Sequence, residues 1–351
     1  MRRDGQALLT AEEMQRVDSV AQERFFMPGA VLMENAGQKA WAVVAAELSE
    51  DGRGDTTSLV FIAGNGNNGG DALVMARQCL VEGIHHPFVI TLTDQLRDAT
   101  AEQWERLAVL GVSRSVWETE PAECRRLLAS ADCLVDGVTG TGLTSPLRSP
   151  AAELVTAINE APGRRFAVDV PSGMRDGGGG DEPHVVADLT ISTGPAKRFL
   201  YAPARRRAAG TITTVDPGFP PLTMIPELSI SARSVPVDMA ALQRYRPLFP
   251  SDAHKGTRGR VLIVAGAPGT EGAALLAAEA ASTAGAGMVR VRTTAAAAAA
   301  GVVREPGVMW RTGSPSGDDF VWADAVVCGP GWTEATVEDL TGLLRDAGTR
   351  G

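Results

Sequence analysis

The sequence lacks several features that would each point to a particular class of protein. Its four cysteines form no C-x-x-C pair and no zinc-ligand spacing, which favours reduced, mostly buried thiols in a cytosolic protein. The N-terminal stretch MRRDGQALLT has no apolar core, so no signal peptide is predicted. No run reaches the roughly 18 apolar residues of a membrane span. We therefore expect a cytoplasmic protein that does not bind a membrane.

Positive charge is also scarce. The formal net charge of -9 argues against nucleic acid or an anionic membrane surface as a partner. Lysine is rare, since only three of the 33 basic residues are lysines. A phosphate-bearing ligand stays possible, because helix N-termini bind anions without net positive charge. The hydrophobic share of 44% and the 351 residues are typical of a globular protein with two domains.

The first 225 residues have the pattern of an α/β domain. Thr10 and Glu13 form a capping box before a first helix, and a second helix follows Pro28-Gly29 to about Leu48. Apolar strand-like runs then alternate with helical runs, which indicates a mostly parallel sheet in a three-layer, Rossmann-like fold. The predicted strands are SLVFIA, PFVITL, CLVDGV, RFAVDV, DLTIST and TITTVDPGF.

A second α/β unit is predicted after a proline-rich stretch at 216–228. We place the first domain at 1–225, a linker at 226–235 and the second domain at 236–351. The second segment shows only two or three strand signatures, whereas sheets of this class usually have about five or six strands. We therefore expect this second domain to be incomplete.

The loop GNGNNGGD at 64–71 lies between a predicted strand and a predicted helix. Its Gly64-x-Gly66-x-x-Gly69 spacing matches a dinucleotide fingerprint, although such a match alone is weak. The fingerprint does not explain the asparagines, whose amides suit a polar ring substituent or a hard cation. It also does not explain Asp71, which would repel a diphosphate. The simplest alternative is a turn in which Asp71 complements the helix dipole.

Other strand ends carry polar side chains that could meet this loop. Asp136 precedes a Gly/Thr loop and Asp169 precedes Pro171-Ser172-Gly173. In a parallel sheet these groups share one edge, and a crevice with two carboxylates suits acid–base chemistry. Lys197 follows a further strand, where it could neutralise a phosphate, although a solvated lysine is the simpler interpretation. The adjacent His85 and His86 are interpreted as surface residues.

Together these motifs resemble the NAD(P)H-hydrate epimerase family. The matching stretches are LMENAG (32–37), GNGNNGGDALVMAR (64–77), VDGVTGTGL (135–143), VDVPSGM (168–174) and ADLTISTGPAK (187–197). The resemblance implies a Rossmann-like homo-oligomer, a dimer or higher, that interconverts the R and S forms of hydrated NADH or NADPH and binds potassium. One departure is Gly137-Val138, where relatives commonly have a small-aromatic pair.

The resemblance also implies site residues. Asn68, Asp136 and Ser172 would be potassium ligands. The hydrate would contact Asp169 and two loops: Asn67, Asn68, Gly69, Gly70 and Asp71 in the first, and Gly140, Thr141, Gly142, Leu143, Thr144, Ser145 and Pro146 in the second.

Residues from 254 onward resemble the start of the ADP-dependent NAD(P)H-hydrate dehydratase domain, which is ribokinase-like. The matching stretches are HKGTRGRVLIVAGA, EGAALLAAEAASTAGAGMVRV and GPGW. By resemblance, Ala273 and Gly331 would touch the hydrate. The family's later motifs, which supply its catalytic aspartate and ADP contacts, do not follow, so we expect this part not to complete dehydration.

Two other functions remain open on the sequence alone. A dehydrogenase using NAD(P) would need an acidic residue about 20 positions beyond the glycine loop, and Asp94 is the candidate. A non-catalytic nucleotide-binding module is the other alternative. For the epimerase, the hydroxyl lies on a carbon beside the ring nitrogen, and water can be lost and re-added there. Asp169 is our candidate both to protonate the hydroxyl and to deprotonate the water.

Overall fold

The computed structural model describes residues 7–50, 57–83, 87–225, 228 and 252–332. The chain divides into two compact units, Met1–Asp238 and Met239–Gly351. Most of the predicted linker at 226–235, together with His85 and His86, lies outside the described residues. No helix in the described part of the chain is both long and apolar enough to cross a bilayer.

The described residues of the first unit form a parallel sheet of seven strands, in the order β3-β2-β1-β4-β5-β6-β7. The strands are β1 (Leu59–Ala63), β2 (Pro87–Thr91), β3 (Arg114–Val116), β4 (Cys133–Gly137), β5 (Arg164–Val168), β6 (Leu189–Thr193) and β7 (Thr211–Val215). The helices are α1 (Ala11–Glu23), α2 (Gly29–Glu50), α3 (Asn67–Val81), α4 (Asp98–Val109), α5 (Pro121–Ser130), α6 (Ala151–Glu160) and α7 (Pro203–Arg206). Short 3₁₀ turns occupy Arg198–Tyr201 and Leu222–Met224.

Helices cover both faces of this sheet, which explains why the central strands are continuously apolar. Alternate residues of β1 point to opposite faces, as strand geometry requires. Phe61 packs in a cluster with Trp41 of α2 and Leu73 of α3. Ile62 packs in a second cluster that includes Leu154 of α6. The predicted three-layer α/β class is therefore confirmed.

The connections from β1 and β4 place a crevice at the carboxyl edge of the sheet. The chain runs from β1 outward to β2 and β3, whereas β4 begins a run in the opposite direction through β5, β6 and β7. Ligands of open α/β sheets bind at such a reversal point. The loops after β1 and β4, which carry the asparagines and the Gly/Thr motif, both start at this point.

The second unit contains a parallel sheet in the order β10-β9-β8-β11. Its strands are β8 (Arg260–Val264), β9 (Met288–Thr293), β10 (Met309–Thr312) and β11 (Ala325–Cys328), and its helices are α8 (Gly272–Thr283), α9 (Ala295–Arg304) and α10 (Gly317–Trp322). Alanines of α8 and α9 pack with Trp310 on one face, and Phe320 packs with Leu262 on the other.

Two edge strands differ from the sequence-based expectation. β3 was not predicted, since Arg-Ser-Val is too short and polar to give an apolar signal. β10 was also not predicted, so the described part of the second unit has four strands where two or three were expected. In β10 only Trp310 is buried, and Arg311 and Thr312 are exposed. Edge strands need less apolar sequence because fewer neighbours cover them.

The glycine loop yields a prediction about stability. A Cβ atom at position 69 would lie 2.1 Å from the carbonyl oxygen of Gly64, whereas at position 66 it would meet no atom within 4 Å. We expect Gly69→Ala to lower the free energy of unfolding by about 1–3 kcal/mol. The matched control Gly66→Ala should change it by no more than about 1 kcal/mol. Urea unfolding of both variants measures this, and equal losses would contradict it.

Candidate active site

A cavity of about 620 Å³ lies at the carboxyl edge of the first sheet. It is lined by the loops after β1 and β4, by the start of α3, by parts of α1 and α2, and by the segments that follow β5, β6 and β7. The predicted residues on its wall are Asn67, Asn68, Asp71, Gly140, Thr141, Gly142, Leu143 and Asp169. The structure therefore brings most of the proposed hydrate contacts in this unit into one place.

Some of the predicted contacts lie elsewhere. Thr144, Ser145 and Pro146 are exposed and do not line the cavity. Gly69 and Gly70 are buried beneath the loop, where their lack of a side chain permits close packing. A Cβ atom on Gly70, for example, would approach the sulfur of Met33 to 2.5 Å. These two glycines support the loop rather than line the cavity with side chains.

Ser172 and Asp136 form a buried oxygen cluster beneath the cavity. The Ser172 hydroxyl donates to Oδ1 of Asp136 at 2.6 Å, and the Ser172 N–H donates to Oδ2 at 2.8 Å. Burial raises the pKa of Asp136 to about 6, against the hydrogen bonds from Ser172 and Val138, which lower it. The Asn68 amide nitrogen donates to the Thr139 carbonyl at 3.0 Å, which brings a third candidate ligand into the cluster.

The cluster suits a hard cation better than a transition metal. It offers carboxylate, hydroxyl, amide and carbonyl oxygens, and oxygen donors are those that hard cations prefer. Within the described residues no group of three or more His, Cys, Asp or Glu side chains could hold a metal ion. Asp136 is fully buried, and the hydrogen bonds that its carboxylate accepts from described residues come from uncharged groups. A bound cation would offset this buried negative charge.

Asp169 is held rigidly at the end of β5. Its backbone has a φ of 65°, an uncommon conformation for a residue other than glycine. Its Oδ1 accepts hydrogen bonds from the Thr193 hydroxyl at 2.8 Å, from the Thr193 N–H at 3.3 Å and from the Lys197 ammonium. No described residue donates to Oδ2. Any proton that Asp169 exchanges with a ligand must therefore pass through Oδ2.

Lys197 is fully buried, so its interpretation as a solvated lysine is wrong. Its ammonium donates to Asp169, to the Ser192 hydroxyl at 3.1 Å and to the Thr193 carbonyl at 2.8 Å. These three hydrogen bonds use all three N–H donors of the ammonium. Lys197 therefore serves to hold Asp169, and the suggested role of neutralising a ligand phosphate loses its support.

Asp71 reaches the same cavity from the first turns of α3. It is 9% exposed, and no hydrogen bond joins its carboxylate to another described residue. Burial raises its pKa well above the usual value, and the charges of Asp169 and Asp18 act in the same direction, whereas Lys197 lowers it. The sequence-based alternative, a carboxylate that only complements the helix dipole, does not account for this position in the cavity wall.

Several wall residues were missed by sequence reasoning, notably Asp18 of α1 and Phe219. The first helix reaches the cavity because Leu9 pairs with the backbone on both sides of Lys197. The Leu9 N–H donates to the Ala196 carbonyl at 3.0 Å, and the Arg198 N–H donates to the Leu9 carbonyl at 2.7 Å. No signal within α1 could have revealed this contact, since it depends on residues far along the chain.

The residues proposed for a dehydrogenase and for the dehydratase domain lie outside this cavity. Asp94, which a dehydrogenase would use, forms an ion pair with Arg114 and does not line the cavity. In the second unit, Ala273 and Gly331 lie side by side, since a Cβ at Gly331 would be 2.7 Å from that of Ala273. Neither residue lines the cavity of about 290 Å³ at the ends of β8 and β9.

Comparisons with known proteins agree with the motifs. Residues 29–199 match the family described as YjeF-related protein N-terminus, and residues 261–341 match NAD(P)H-hydrate dehydratase. An NAD(P)H-hydrate epimerase from Rhodopirellula baltica is 34% identical over 224 residues, which cover 63% of this chain and 88% of that protein. The chain belongs to the NAD(P)H-hydrate epimerase family. The resemblance inferred from the sequence is thus confirmed.

Relatives of this epimerase-family chain also include longer proteins. The bifunctional NAD(P)H-hydrate repair enzyme Nnr of Salinibacter ruber is 33% identical over 274 residues, covering 74% of this chain and 50% of the relative. The chain thus spans about half the length of such relatives. A yeast protein, ynu0, shares the fold with a TM-score of 0.52 and 21% identity, over 61% of this chain and 94% of its own.

The contact between Lys197 and Asp169 yields a prediction. Lys197→Met would leave the Asp169 carboxylate buried without its cation, so the free energy of unfolding should fall by about 3–5 kcal/mol. Lys39→Met is the matched control, because Lys39 is exposed, and it should change stability by less than about 0.5 kcal/mol. Denaturant unfolding measures both. Similar losses in the two variants would contradict the structural role of Lys197.

Proposed function

We propose that the first unit epimerises the R and S hydrates of NADH and NADPH, a metabolite-repair reaction. The observation that carries this proposal is that Asn68, Asp71 and Asp169 line one cavity, with Asp136 buried beneath it. Membership of the epimerase family supports it, as does the exclusion of Asp94 from that cavity. A cytoplasmic location and a homo-oligomeric state remain predictions.

The cavity wall suits the damaged end of the dinucleotide. The loop Asn67–Asp71 and the loop from Gly140 would bind the hydrate, with amides and backbone N–H groups toward its polar substituents. Apolar wall residues such as Met33 and Leu143 would contact the ring. We propose that Thr144, Ser145 and Pro146 take part through their backbone, because their side chains lie outside the cavity wall.

Asp169 is the proposed catalytic residue. Protonation of the hydroxyl lets water leave while the lone pair of the ring nitrogen forms a double bond to the carbon. Water then adds to the other face and gives up a proton. Oδ2 of Asp169 can exchange a proton with an oxygen at the ring, because Oδ1 is occupied by Thr193 and Lys197. The fixed position of Asp169 favours this transfer.

Potassium is the proposed cofactor of this unit. Asn68, Asp136 and Ser172 would hold the ion, with the Thr139 carbonyl close by. When bound, it supplies positive charge that offsets the buried Asp136 carboxylate. Asp136 and Ser172 would thereby fix the loops that follow β4 and β5, which line the cavity.

For the second unit we propose no complete dehydratase activity from this chain. The family's activity requires ADP, and Ala273 and Gly331 are the only hydrate contacts that the resemblance assigns here. Gly331 has a φ of 68° and its carbonyl accepts a hydrogen bond from the Thr270 hydroxyl at 2.6 Å, so this loop is well supported. Conversion of S hydrate to NAD(P)H on addition of ADP would refute this part.

The reaction can be tested with a mixture of R and S hydrates separated by chromatography. Epimerisation should be observed, and Asp169→Asn should reduce kcat about 10²–10⁴-fold because the acid–base group is lost. Asp94→Asn is the matched control and should leave kcat unchanged, since Asp94 lies outside the cavity. Unchanged turnover in Asp169→Asn would refute the assigned role.

Potassium should also stabilise the protein. At ten times its dissociation constant, the ion should add about 1.4 kcal/mol to the free energy of unfolding relative to choline chloride at equal ionic strength. Asp136→Asn should abolish this difference, because the ion loses its charged ligand. Thermal unfolding in the two salts measures it. Equal midpoints for the unmodified protein in potassium and choline would count against the site.

A further inference from the structure

The cavity is lined by titratable side chains other than Asp169. Three carboxylates line it, from Asp18 of α1, Asp71 of α3 and Asp169 after β5, together with the Lys197 ammonium. Lys197 pairs with Asp169. The Gln22 amide donates to Asp18 at 2.9 Å. Asp71 is the one carboxylate of these three with no hydrogen-bond donor in the described part of the chain.

Epimerisation by loss and re-addition of water requires proton transfer on both faces of the ring, and a fixed Asp169 does not provide both. The hydroxyl leaves from one face of the ring, and the water that inverts the centre must add to the opposite face. Asp169 is held by donors to Oδ1 and by its backbone bond to the Ile191 carbonyl at 2.8 Å. A single fixed Oδ2 therefore serves one face. A second group is needed for the other face.

Asp71 has the properties of that second group. Its carboxylate is nine-tenths buried, opens into the same cavity and has no hydrogen-bonding role within the described structure. The charged groups facing it are Asp18 from α1, and Asp169 and Lys197 from the segments after β5 and β6. Burial and the two like charges favour its neutral, proton-carrying form. Two carboxyl groups in different surroundings commonly divide acid and base roles.

We propose that Asp71 is a second catalytic residue, which exchanges a proton with the oxygen on the ring face that Asp169 does not serve. This inference rests on the proposed epimerase function and deepens it. In one direction Asp71 gives its proton to the hydroxyl, the C–O bond breaks and the ring nitrogen forms a double bond to the carbon. Water then adds on the opposite face, and Oδ2 of Asp169 accepts its proton. The reverse conversion exchanges the two roles, so protons and electrons balance over both directions.

The test uses the full chain, purified R and S hydrates of NADH, and water enriched in oxygen-18. Asp71→Asn should lower kcat for inversion about 10²–10⁴-fold. The dissociation constant of the hydrate should change by less than about threefold, which corresponds to roughly 0.6 kcal/mol. It should still exchange the hydroxyl oxygen of one epimer with solvent, because Asp169 can remove and return water on its own face. Asp169→Asn should show the same exchange for the other epimer only.

Three controls separate the possible outcomes. Asp94→Asn should keep full inversion, and Asp71→Glu should recover part of it. The thermal midpoint of Asp71→Asn should equal or exceed that of the unmodified protein, because an isosteric amide replaces a buried ionisable group without breaking a described hydrogen bond. Inversion at the normal rate in Asp71→Asn would overturn the inference alone. Equal loss of inversion and of exchange for both epimers would also overturn it. No inversion by the unmodified protein would overturn the proposed function together with it.

Discussion

The parallel direction of the central strands is the constraint on which the site depends. Because β1, β4, β5 and β6 all run the same way, their carboxyl ends lie at one edge. Residues from Asn68 to Lys197, far apart in sequence, meet there only for that reason. The continuous apolar strands make this arrangement stable, since helices bury both faces of the sheet. The fold therefore fixes which polar residues are neighbours before any of them forms a hydrogen bond.

The three buried carboxylates at that edge differ in the partners that compensate their negative charge. Asp169 has an ammonium partner, and Asp136 has hydrogen bonds but no charged partner among the described residues. Asp71 has neither. Buried carboxylates left without donors destabilise a folded protein, so such positions tend to coincide with function. Asp169 has the most partners and Asp71 the fewest. This difference parallels the proposed roles, in which Asp169 is held in place and Asp71 is free to carry a proton.

Much of this organisation could be predicted from the sequence, because it depends on local signals. Apolar runs located six of the seven strands of the first sheet, and the strand ends indicated Asp136, Asp169 and the asparagine loop as one group. The edge at which Lys197 lies could be predicted but its burial could not, since burial depends on Asp169 and on Leu9, which pairs beside it only in the folded chain. Asp18 was missed for the same reason. β3 and β10 carry too few apolar residues to be recognised before the rest of the sheet is known.

The glycine fingerprint shows how one motif can serve a chemistry different from the one it usually indicates. Gly69 lets the loop fold closely on itself, since a Cβ there would lie 2.1 Å from the Gly64 carbonyl oxygen. Gly64 lets the loop pack against the loop after β4, since a Cβ there would lie 1.9 Å from the Val138 carbonyl oxygen. This loop differs from a dinucleotide site in the polar side chains that it carries. Asn68 turns toward the oxygen cluster and Asp71 toward the cavity, so one helical turn contributes to both. A carboxylate at position 71 would oppose a diphosphate at the helix N-terminus, whereas the proposed epimerisation uses it to exchange a proton with the hydrated ring. On that proposal, a backbone that could bind phosphate binds the damaged ring instead.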